Sequence, residues 1–173
     1  LQKSKRLSVT ASIDSIKNHN VYIITVPTPV NEEKLPDLTL LKKACKLVSK
    51  IMAKNSIIIF ESTVYPGVTE NICAPIIAKF SGYKFNKNFF LGYSPERINP
   101  GDKKHSVEKI TKVISGSNNA TTAIVGKIYK KIIKAGIFHA KSIEVAETAK
   151  AIENAQRDIN IAFVNEIALL CQK

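Results

Sequence analysis

Five short runs of β-branched and aromatic residues alternate with segments of helical periodicity along the chain. These runs are predicted strands at residues 21–26, 56–60, 89–93, 110–114 and 137–139. Each run is apolar at consecutive positions, which is typical of strands that are buried on both faces. Strands of this kind, separated by helices, predict an α/β fold with a doubly wound parallel sheet. In such sheets, ligands bind beyond the carboxyl ends of the strands.

The spacing of apolar residues predicts helices between the strands. One helix follows Asp37, and two others cover residues 69–80 and 120–133. Pro75 is awkward inside the second of these, because proline has no N–H to donate within a helix.

One long helix is predicted from Ser142 to the end of the chain. Its apolar stripe comprises Val145, Ala149, Ile152, Ile159, Phe163, Ile167 and Leu170, and its polar stripe comprises Glu147, Lys150, Asn154, Arg157 and Asp158. Roughly 30 residues exceed the usual length of a globular helix, so this helix suits a connection between domains. Because the chain starts at Leu1 and stops at Lys173 within a helical pattern, both ends are expected to be cut.

The composition is that of an ordinary folded protein. Hydrophobic residues make up 45% of the 173 residues and charged residues 23%, which excludes a disordered tail. No apolar run approaches the roughly 20 residues of a membrane span, so a cytoplasmic location without membrane contact is expected. The three cysteines match no metal-ligand spacing, so no metal is expected, and Cys45 and Cys171 are interpreted as small buried hydrophobic residues.

The net charge of +12 comes mostly from lysines on the predicted helices. These are Lys42, Lys43, Lys46, Lys50 and Lys54, followed by Lys127, Lys130, Lys131 and Lys134. A solvated helix face is one interpretation, and steering of anionic small molecules is another. A basic nucleic-acid-binding module is a third, but the chain has no Trp and no aromatic residues among these lysines to stack on bases. Nucleic acid is therefore not an expected partner.

Four motifs lie at the predicted strand ends and on the long helix. They are Val26-Pro27-Thr28-Pro29, Glu61-Ser62-Thr63-Val64-Tyr65-Pro66-Gly67, Tyr93-Ser94-Pro95-Glu96-Arg97-Ile98-Asn99-Pro100-Gly101, and Ala146-Glu147-Thr148-Ala149-Lys150 with Asn154. In this order they resemble the UDP-glucose/GDP-mannose dehydrogenase family, over about residues 20–173. Tyr65 and the Arg-Ile-Asn-Pro-Gly tail of the third motif look like the branch that acts on UDP-N-acetylglucosamine or UDP-N-acetylmannosamine.

The resemblance implies a Rossmann-like fold that binds NAD. Residues 1–141 would be the C-terminal part of the NAD-binding domain without its first βαβ unit, and residues 142–173 the start of a central dimerisation helix. The family oxidises a primary alcohol twice with two NAD molecules and passes through a thioester on a cysteine. The implied reaction converts a UDP-N-acetylhexosamine, or UDP-glucose, to the uronic acid for surface polysaccharides such as capsule.

By the same resemblance, four residues carry the catalysis. Glu96 assists hydrolysis of the thioester, Lys150 places its ammonium near developing negative charge, and Asn154 donates a second hydrogen bond there. Thr63 supports the site beside the nicotinamide through its hydroxyl. The substrate-binding residues implied are Glu96, Arg97, Lys150 and Asn154.

NAD is expected to lie against the first two motifs. The cofactor-binding residues implied by the resemblance are Val26, Pro27, Thr28, Pro29, Ser62, Thr63 and Val64. Most of these contacts would involve the backbone, and Thr28 is the expected side-chain contact. For Glu61 two alternatives stay open: a cofactor contact and a structural hydrogen bond.

Two parts of the family pattern are absent from this sequence. No two of the seven glycines are spaced Gly-x-Gly, so the pyrophosphate-binding loop is missing. The family's cysteine lies in a Gly-rich segment beyond the long helix, and neither Cys73 nor Cys171 has that context. The chain alone is therefore expected to be inactive, and its long helix to pair with a second copy. The alternative is a truncated, inactive relative that acts as a structural or interaction protein.

Overall fold

The computed structural model describes residues 7–96 and 107–172. Within these residues five strands form one sheet in the order β1-β2-β3-β4-β5. They are β1 (Val21–Ile24), β2 (Ser56–Phe60), β3 (Phe89–Tyr93), β4 (Lys112–Gly116) and β5 (Ile137–His139). The five predicted strands are confirmed, although β1 ends earlier and β4 lies slightly later in the chain than the sequence pattern indicates.

The predicted doubly wound parallel sheet is confirmed for most of the sheet, and one junction is antiparallel. β1, β2 and β3 pair in parallel, and so do β4 and β5. β3 and β4 are antiparallel, with Gly92 opposite Gly116 and Tyr93 opposite Ser115. A strand buried on both faces is apolar at every position, and that pattern reports burial but not strand direction. As a consequence of this reversal, β4 starts at the edge of the sheet where β3 ends.

Four α-helices occur in the described residues. They are α1 (Thr39–Ile51), α2 (Ala74–Ser81), α3 (Asn119–Lys130) and α4 (Ile143–Cys171), with short 3-10 turns at Ile13–Ile16 and Val107–Lys109. A π-helical segment, Val68–Cys73, leads directly into α2. Pro75 lies in the first turn of α2, where the fixed φ of proline suits a helix. The helix predicted over residues 69–80 therefore consists of two segments that join next to the proline.

Helices cover both faces of the sheet, and each face has its own apolar core. On one face, Ile58 and Phe60 of β2 pack in a core with α1, the π-helical segment, α2 and the start of α4. On the other face, Ile57 and Ile59 pack with Ile114 of β4 and with α3. Because neighbouring residues of β2 alternate between the two cores, the whole strand is buried.

Helix α4 is buried only at its beginning. Ser142 caps it by accepting a hydrogen bond from the Val145 N–H. The buried residues of the helix are Ile143, Ala146, Glu147 and Lys150. The predicted apolar stripe is exposed instead: Ile159 is 67% and Phe163 is 65% exposed. None of the helices in the described ranges is long and apolar enough to cross a membrane.

Candidate active site

The loops that follow β1 and β2 are tied to each other by side-chain hydrogen bonds. The Thr28 hydroxyl donates to the Thr63 carbonyl oxygen at 2.5 Å, and the Ser62 hydroxyl donates to the Val26 carbonyl oxygen at 2.5 Å. The hydroxyl of Tyr93, at the end of β3, donates to the Ser62 carbonyl oxygen at 3.2 Å. These bonds fix both loops at the carboxyl ends of parallel strands, the edge where α/β sheets bind ligands.

The residues predicted to bind the cofactor differ in exposure. Pro27, Pro29 and Thr63 are exposed, whereas Ser62 and Val64 are buried. Because their side chains point inward, Ser62 and Val64 can offer a ligand only their backbone groups. The remaining two residues of the set, Val26 and Thr28, are half-buried.

Glu96, which follows β3, lies against a buried lysine. The Nζ atom of Lys112, the first residue of β4, is 3.5 Å from Glu96 Oε2 and 3.6 Å from Glu61 Oε1. The Lys112 side chain is 6% exposed, compared with 19% for Glu61 and 44% for Glu96. The antiparallel junction explains this meeting, because it brings the start of β4 to the residues that leave β2 and β3.

Tyr129 of α3 contributes the fourth side chain of this group, which we call the carboxylate–lysine cluster (Glu61, Glu96, Lys112 and Tyr129). Its hydroxyl donates to Glu61 Oε1, and Lys112 Nζ lies 5.3 Å from the centre of its ring. Burial, and then the hydrogen bond to Glu61, raises the pKa of the Tyr129 hydroxyl above its usual range, so the group stays protonated as a donor. Of the two alternatives for Glu61, these contacts support the structural hydrogen bond.

Another carboxylate, Glu147 of α4, is completely buried and joins the helix to the end of the β2 loop. One of its oxygens accepts from the Gly67 N–H at 2.6 Å, and the other accepts from the Thr69 N–H at 2.9 Å and the Thr69 hydroxyl at 2.6 Å. Gly67 has a φ of +90°, which glycine adopts without strain. Both N–H groups lie at the start of the π-helical segment, where intrahelical acceptors are missing, so the carboxylate caps this segment.

Lys150 follows Glu147 by about one turn of α4 and is also buried, whereas Asn154 is exposed. The Lys150 side chain is 9% exposed, and its Nζ atom lies 3.8 Å from Glu153 Oε2. Glu153 also accepts a hydrogen bond from Arg157 Nη2 at 3.1 Å. Lys150 is therefore held at the base of α4, while the predicted partner on the same helix faces outward.

The sequence-predicted residues are arranged around one loop, residues 61–67. The carboxylate–lysine cluster includes the first residue of this loop, and Glu147 holds its last residue, about one helical turn before Lys150. The exposed Thr63 lies between these two attachments. The cluster contacts α3, whereas α4 starts in the core on the other face, so the two approach the loop from opposite faces of the sheet. Arg97, predicted to contact substrate, lies outside the described residues.

Cys73 lies in surroundings that do not favour a nucleophilic thiolate. Cys45 and Cys73 are buried, and hydrogen bonding to Cys45, followed by burial, raises the pKa of the Cys73 thiol far above its usual range. A raised pKa keeps the thiol protonated and unreactive. Cys171 is exposed on α4, so its interpretation as a buried residue is wrong.

Comparison with known proteins decides the family. Residues 1–133 match the NAD binding domain of the UDP-glucose/GDP-mannose dehydrogenase family, and residues 144–173 match the central domain of the same family. The chain belongs to the UDP-glucose/GDP-mannose dehydrogenase family. Its cofactor is NAD.

Relatives within the UDP-glucose/GDP-mannose dehydrogenase family are much longer than this chain. It is 53% identical over 170 residues to the UDP-N-acetyl-D-glucosamine 6-dehydrogenase of Pseudomonas aeruginosa. The match covers 98% of the chain and 40% of that protein. It is 47% identical over 171 residues to Protein CapL of Staphylococcus aureus, and this match covers 99% of the chain and 40% of Protein CapL. The solved structure of the UDP-D-ManNAc dehydrogenase from Pyrococcus horikoshii matches with a TM-score of 0.86 and 34% identity, over 93% of this chain and 38% of that one. The chain thus spans about two fifths of the length of these relatives.

The exposed surface of the two loops fits part of the family's cofactor. Near Thr63 this surface includes the Thr63 hydroxyl, the rings of Pro27 and Pro29, and backbone polar groups. Uncharged groups of this kind suit a ribose or a nicotinamide ring, for which a pocket needs apolar contact and a few hydrogen-bonding groups. They offer no positive charge for a pyrophosphate, which the family binds at a glycine-rich loop.

Three residues of this candidate site are not predicted by the sequence: Lys112, Tyr129 and Glu147. Lys112 is the first residue of an otherwise apolar strand. Since lysine is rarely buried unless it is paired, its position in the sequence could have indicated a buried ion pair. Tyr129 occupies an apolar helical position four residues after Val125, so nothing distinguished it from an ordinary core residue. Glu147 was placed in a polar stripe, although that part of the helix is the one that packs against the sheet.

Proposed function

We propose that the complete polypeptide carrying this sequence is an NAD-dependent nucleotide-sugar 6-dehydrogenase that oxidises a UDP-N-acetylhexosamine to the uronic acid. The names of the relatives support this substrate class, since they include a UDP-N-acetyl-D-glucosamine 6-dehydrogenase and several UDP-N-acetyl-D-mannosamine dehydrogenases. UDP-glucose is the alternative substrate within the same family. The similarity to Protein CapL supports a role in capsule or another surface polysaccharide.

The proposed chemistry consists of two oxidations and one hydrolysis. Bound NAD would supply the hydride acceptor for each oxidation, and the two oxidations would take the primary alcohol to a thioester on a cysteine outside this chain. Glu96 then accepts a proton from water as the water attacks the thioester carbon, the carbon–sulfur bond breaks, and the sulfur leaves as thiolate. Lys150 and Asn154 stabilise the negative charge that develops on oxygen during these steps, and Thr63 orders the site beside the nicotinamide.

The observation that carries this proposal is the double attachment of residues 61–67. At one end of the loop, Glu61 contacts Lys112, which also contacts Glu96. At the other end, Gly67 is bound to Glu147 of α4, about one turn before Lys150. Both attachments lie at the edge where β1, β2 and β3 end, and ligands bind at this edge in α/β sheets. A substrate bound over Thr63 would therefore have the carboxylate on one flank and the amine on the other.

We divide the chain between two domains according to the family pattern. We assign residues 1–141 to the C-terminal part of the NAD-binding domain and residues 142–173 to the start of the central helix. The chain alone is proposed to be inactive, because it contains neither the glycine-rich loop nor the cysteine in its Gly-rich context. The missing parts would supply the pyrophosphate site, the nucleophile and most contacts with the sugar.

The long helix is proposed to pair two copies in a cytoplasmic homodimer. Its exposed residues include Ile152, Ile159, Phe163 and Leu170, each more than 60% exposed in the single chain. Apolar side chains that recur along one helix are typical of a surface that another helix covers. Light scattering on the complete polypeptide measures the number of chains directly.

The role of Glu96 is tested by Glu96→Gln in the complete polypeptide. We expect the two oxidations to proceed and the hydrolysis to slow by roughly 100-fold or more, which is the usual contribution of a general base. Intact mass spectrometry should then detect the sugar bound to the protein as a thioester. Glu108→Gln is the matched control. Glu108 is an exposed glutamate that precedes β4, and its carboxylate pairs with Lys134. Unchanged turnover by Glu96→Gln would show that the assigned role is wrong.

A further inference from the structure

Lys112 is a buried cation at the edge of the candidate active site. Its side chain is 6% exposed, and its Nζ atom lies between carboxylate oxygens of Glu61 and Glu96, at 3.6 Å and 3.5 Å. A buried ammonium group is costly unless carboxylates and hydrogen bonds compensate for the lost water. Its position therefore needs a specific set of partners, and Glu96, to which catalysis is assigned, is one of them.

The backbone and the stem of Lys112 are fixed by the sheet. Its N–H donates to the Gly136 carbonyl oxygen at 3.1 Å, and it lies opposite Ile137 in the β4–β5 ladder. The ring of Tyr129 faces the ammonium at 5.3 Å. Because the strand and the ring limit the movement of the Lys112 side chain, its ammonium group has a defined position.

Glu61 is the second carboxylate in contact with Lys112. Its carboxylate accepts the hydroxyl proton of Tyr129, which fixes one oxygen, and only 19% of its side chain is exposed. Exposure increases from Lys112 through Glu61 to Glu96, whose side chain is 44% exposed. The cluster is therefore anchored at its buried end and reaches solvent at the carboxylate of Glu96.

We infer that Lys112 is a positioning residue for Glu96, and this inference rests on the proposed function. The ammonium attracts the Glu96 carboxylate and limits the directions in which its oxygens point while it acts as the base. A partly exposed carboxylate such as Glu96 has several rotamers of similar energy, and a nearby fixed cation favours one of them. Tyr129 and Glu61 keep that cation in place.

The competing explanation is that Lys112 only stabilises the fold by joining β4 to the end of β2. Glu61 alone would satisfy that role, and the contact with Glu96 would have no effect on the reaction. The two explanations differ in what Lys112→Met changes. A purely structural lysine affects thermal stability, whereas a positioning lysine also slows the single step in which Glu96 takes part.

The test uses the complete polypeptide, with NAD and UDP-N-acetylglucosamine or UDP-N-acetylmannosamine as substrates. We expect Lys112→Met to lower kcat by roughly 10- to 100-fold, the order of effect that follows from misplacing a catalytic group. The KM for the UDP-sugar should change by less than about threefold, since the lysine does not contact it. Rapid mixing should give a burst of NADH followed by a slow phase, and mass spectrometry should detect the accumulated thioester.

Two further variants separate charge from stability. Lys112→Arg retains the positive charge and should restore most of the hydrolysis rate, while Lys109→Met removes an exposed lysine three residues away and should behave like the unmodified protein. If Lys112→Met does not fold, Lys112→Gln takes its place, with the same kinetic result expected. A folded neutral variant with normal kcat and no thioester would overturn the inference. An unmodified protein that reduces no NAD with either sugar would instead reject the proposed function.

Discussion

Replacement of Glu147 by glutamine tests how the base of α4 is held. The carboxylate accepts three hydrogen bonds, from the N–H groups of Gly67 and Thr69 and from the Thr69 hydroxyl. The amide of glutamine has one acceptor oxygen, which we expect to keep the two bonds to Thr69. Its NH₂ group then faces the Gly67 N–H, and this donor loses its partner.

The magnitude follows from the bonds that change. A hydrogen bond to a charged group contributes roughly 1.5–3 kcal/mol, and a buried donor without a partner costs roughly 1–3 kcal/mol. The two retained bonds also become weaker, because the acceptor is no longer charged. Since Gly67 is partly accessible to water, we expect Glu147→Gln to reduce local stability by about 2–5 kcal/mol.

Amide hydrogen exchange in the complete polypeptide measures this effect residue by residue. The Gly67 amide should lose more protection in Glu147→Gln than the Thr69 amide, which keeps its acceptor. Thr69→Val is the matched control: it removes only the hydroxyl bond to the carboxylate and should cost roughly 1.5–3 kcal/mol while leaving the Gly67 amide protected. If Glu147→Gln leaves exchange at Gly67 unchanged, the carboxylate does not cap this segment as described.

Two other predictions concern pH and assembly. Burial, and then the Glu147 carboxylate, raises the pKa of Glu70 above its ordinary value of 4.5, so this group favours folding most below pH 4.5 and loses that contribution as pH rises through its folded-state pKa. Glu70→Gln should therefore raise the melting temperature at pH 7.5, and the gain should shrink towards pH 5; a gain that grows on acidification would contradict this. If the apolar stripe of α4 pairs two copies, Phe163→Glu should convert dimers to monomers in light scattering, whereas Asp158→Asn should not. Dimers that persist in Phe163→Glu would exclude this surface as the interface.

Much of the fold follows from the sequence, because burial leaves a clear record in residue type. The apolar run of Ser56–Phe60 predicts a strand between two cores, and that strand has its predicted bounds. Ser142 predicts the start of α4, because its hydroxyl can replace a missing intrahelical acceptor. Such features depend on local chemistry, which a single sequence contains.

The direction of β4 and the environment of Glu147 depend on contacts between distant residues, and the sequence pattern does not contain them. Glu147 lies in a stripe of charged residues, yet it is buried because the unpaired N–H groups of Gly67 and Thr69 need an acceptor. Those donors are about 80 positions away in the chain, so their requirement is visible only once the fold brings them together. The surroundings of Lys112 are likewise visible only in the fold, because its carboxylate partners Glu61 and Glu96 follow two other strands, β2 and β3.

The 29 residues of α4 extend about 43 Å at 1.5 Å per residue, yet only the first two turns are fastened to the sheet. The helix is therefore a lever whose pivot is the Glu147 attachment. A tilt of about 5° at this pivot displaces the far tip, which is roughly 36 Å away at 1.5 Å per residue, by about 3 Å. Any rearrangement of the loop beside Thr63 that tilted α4 would therefore produce a larger displacement at the distal turns of the helix.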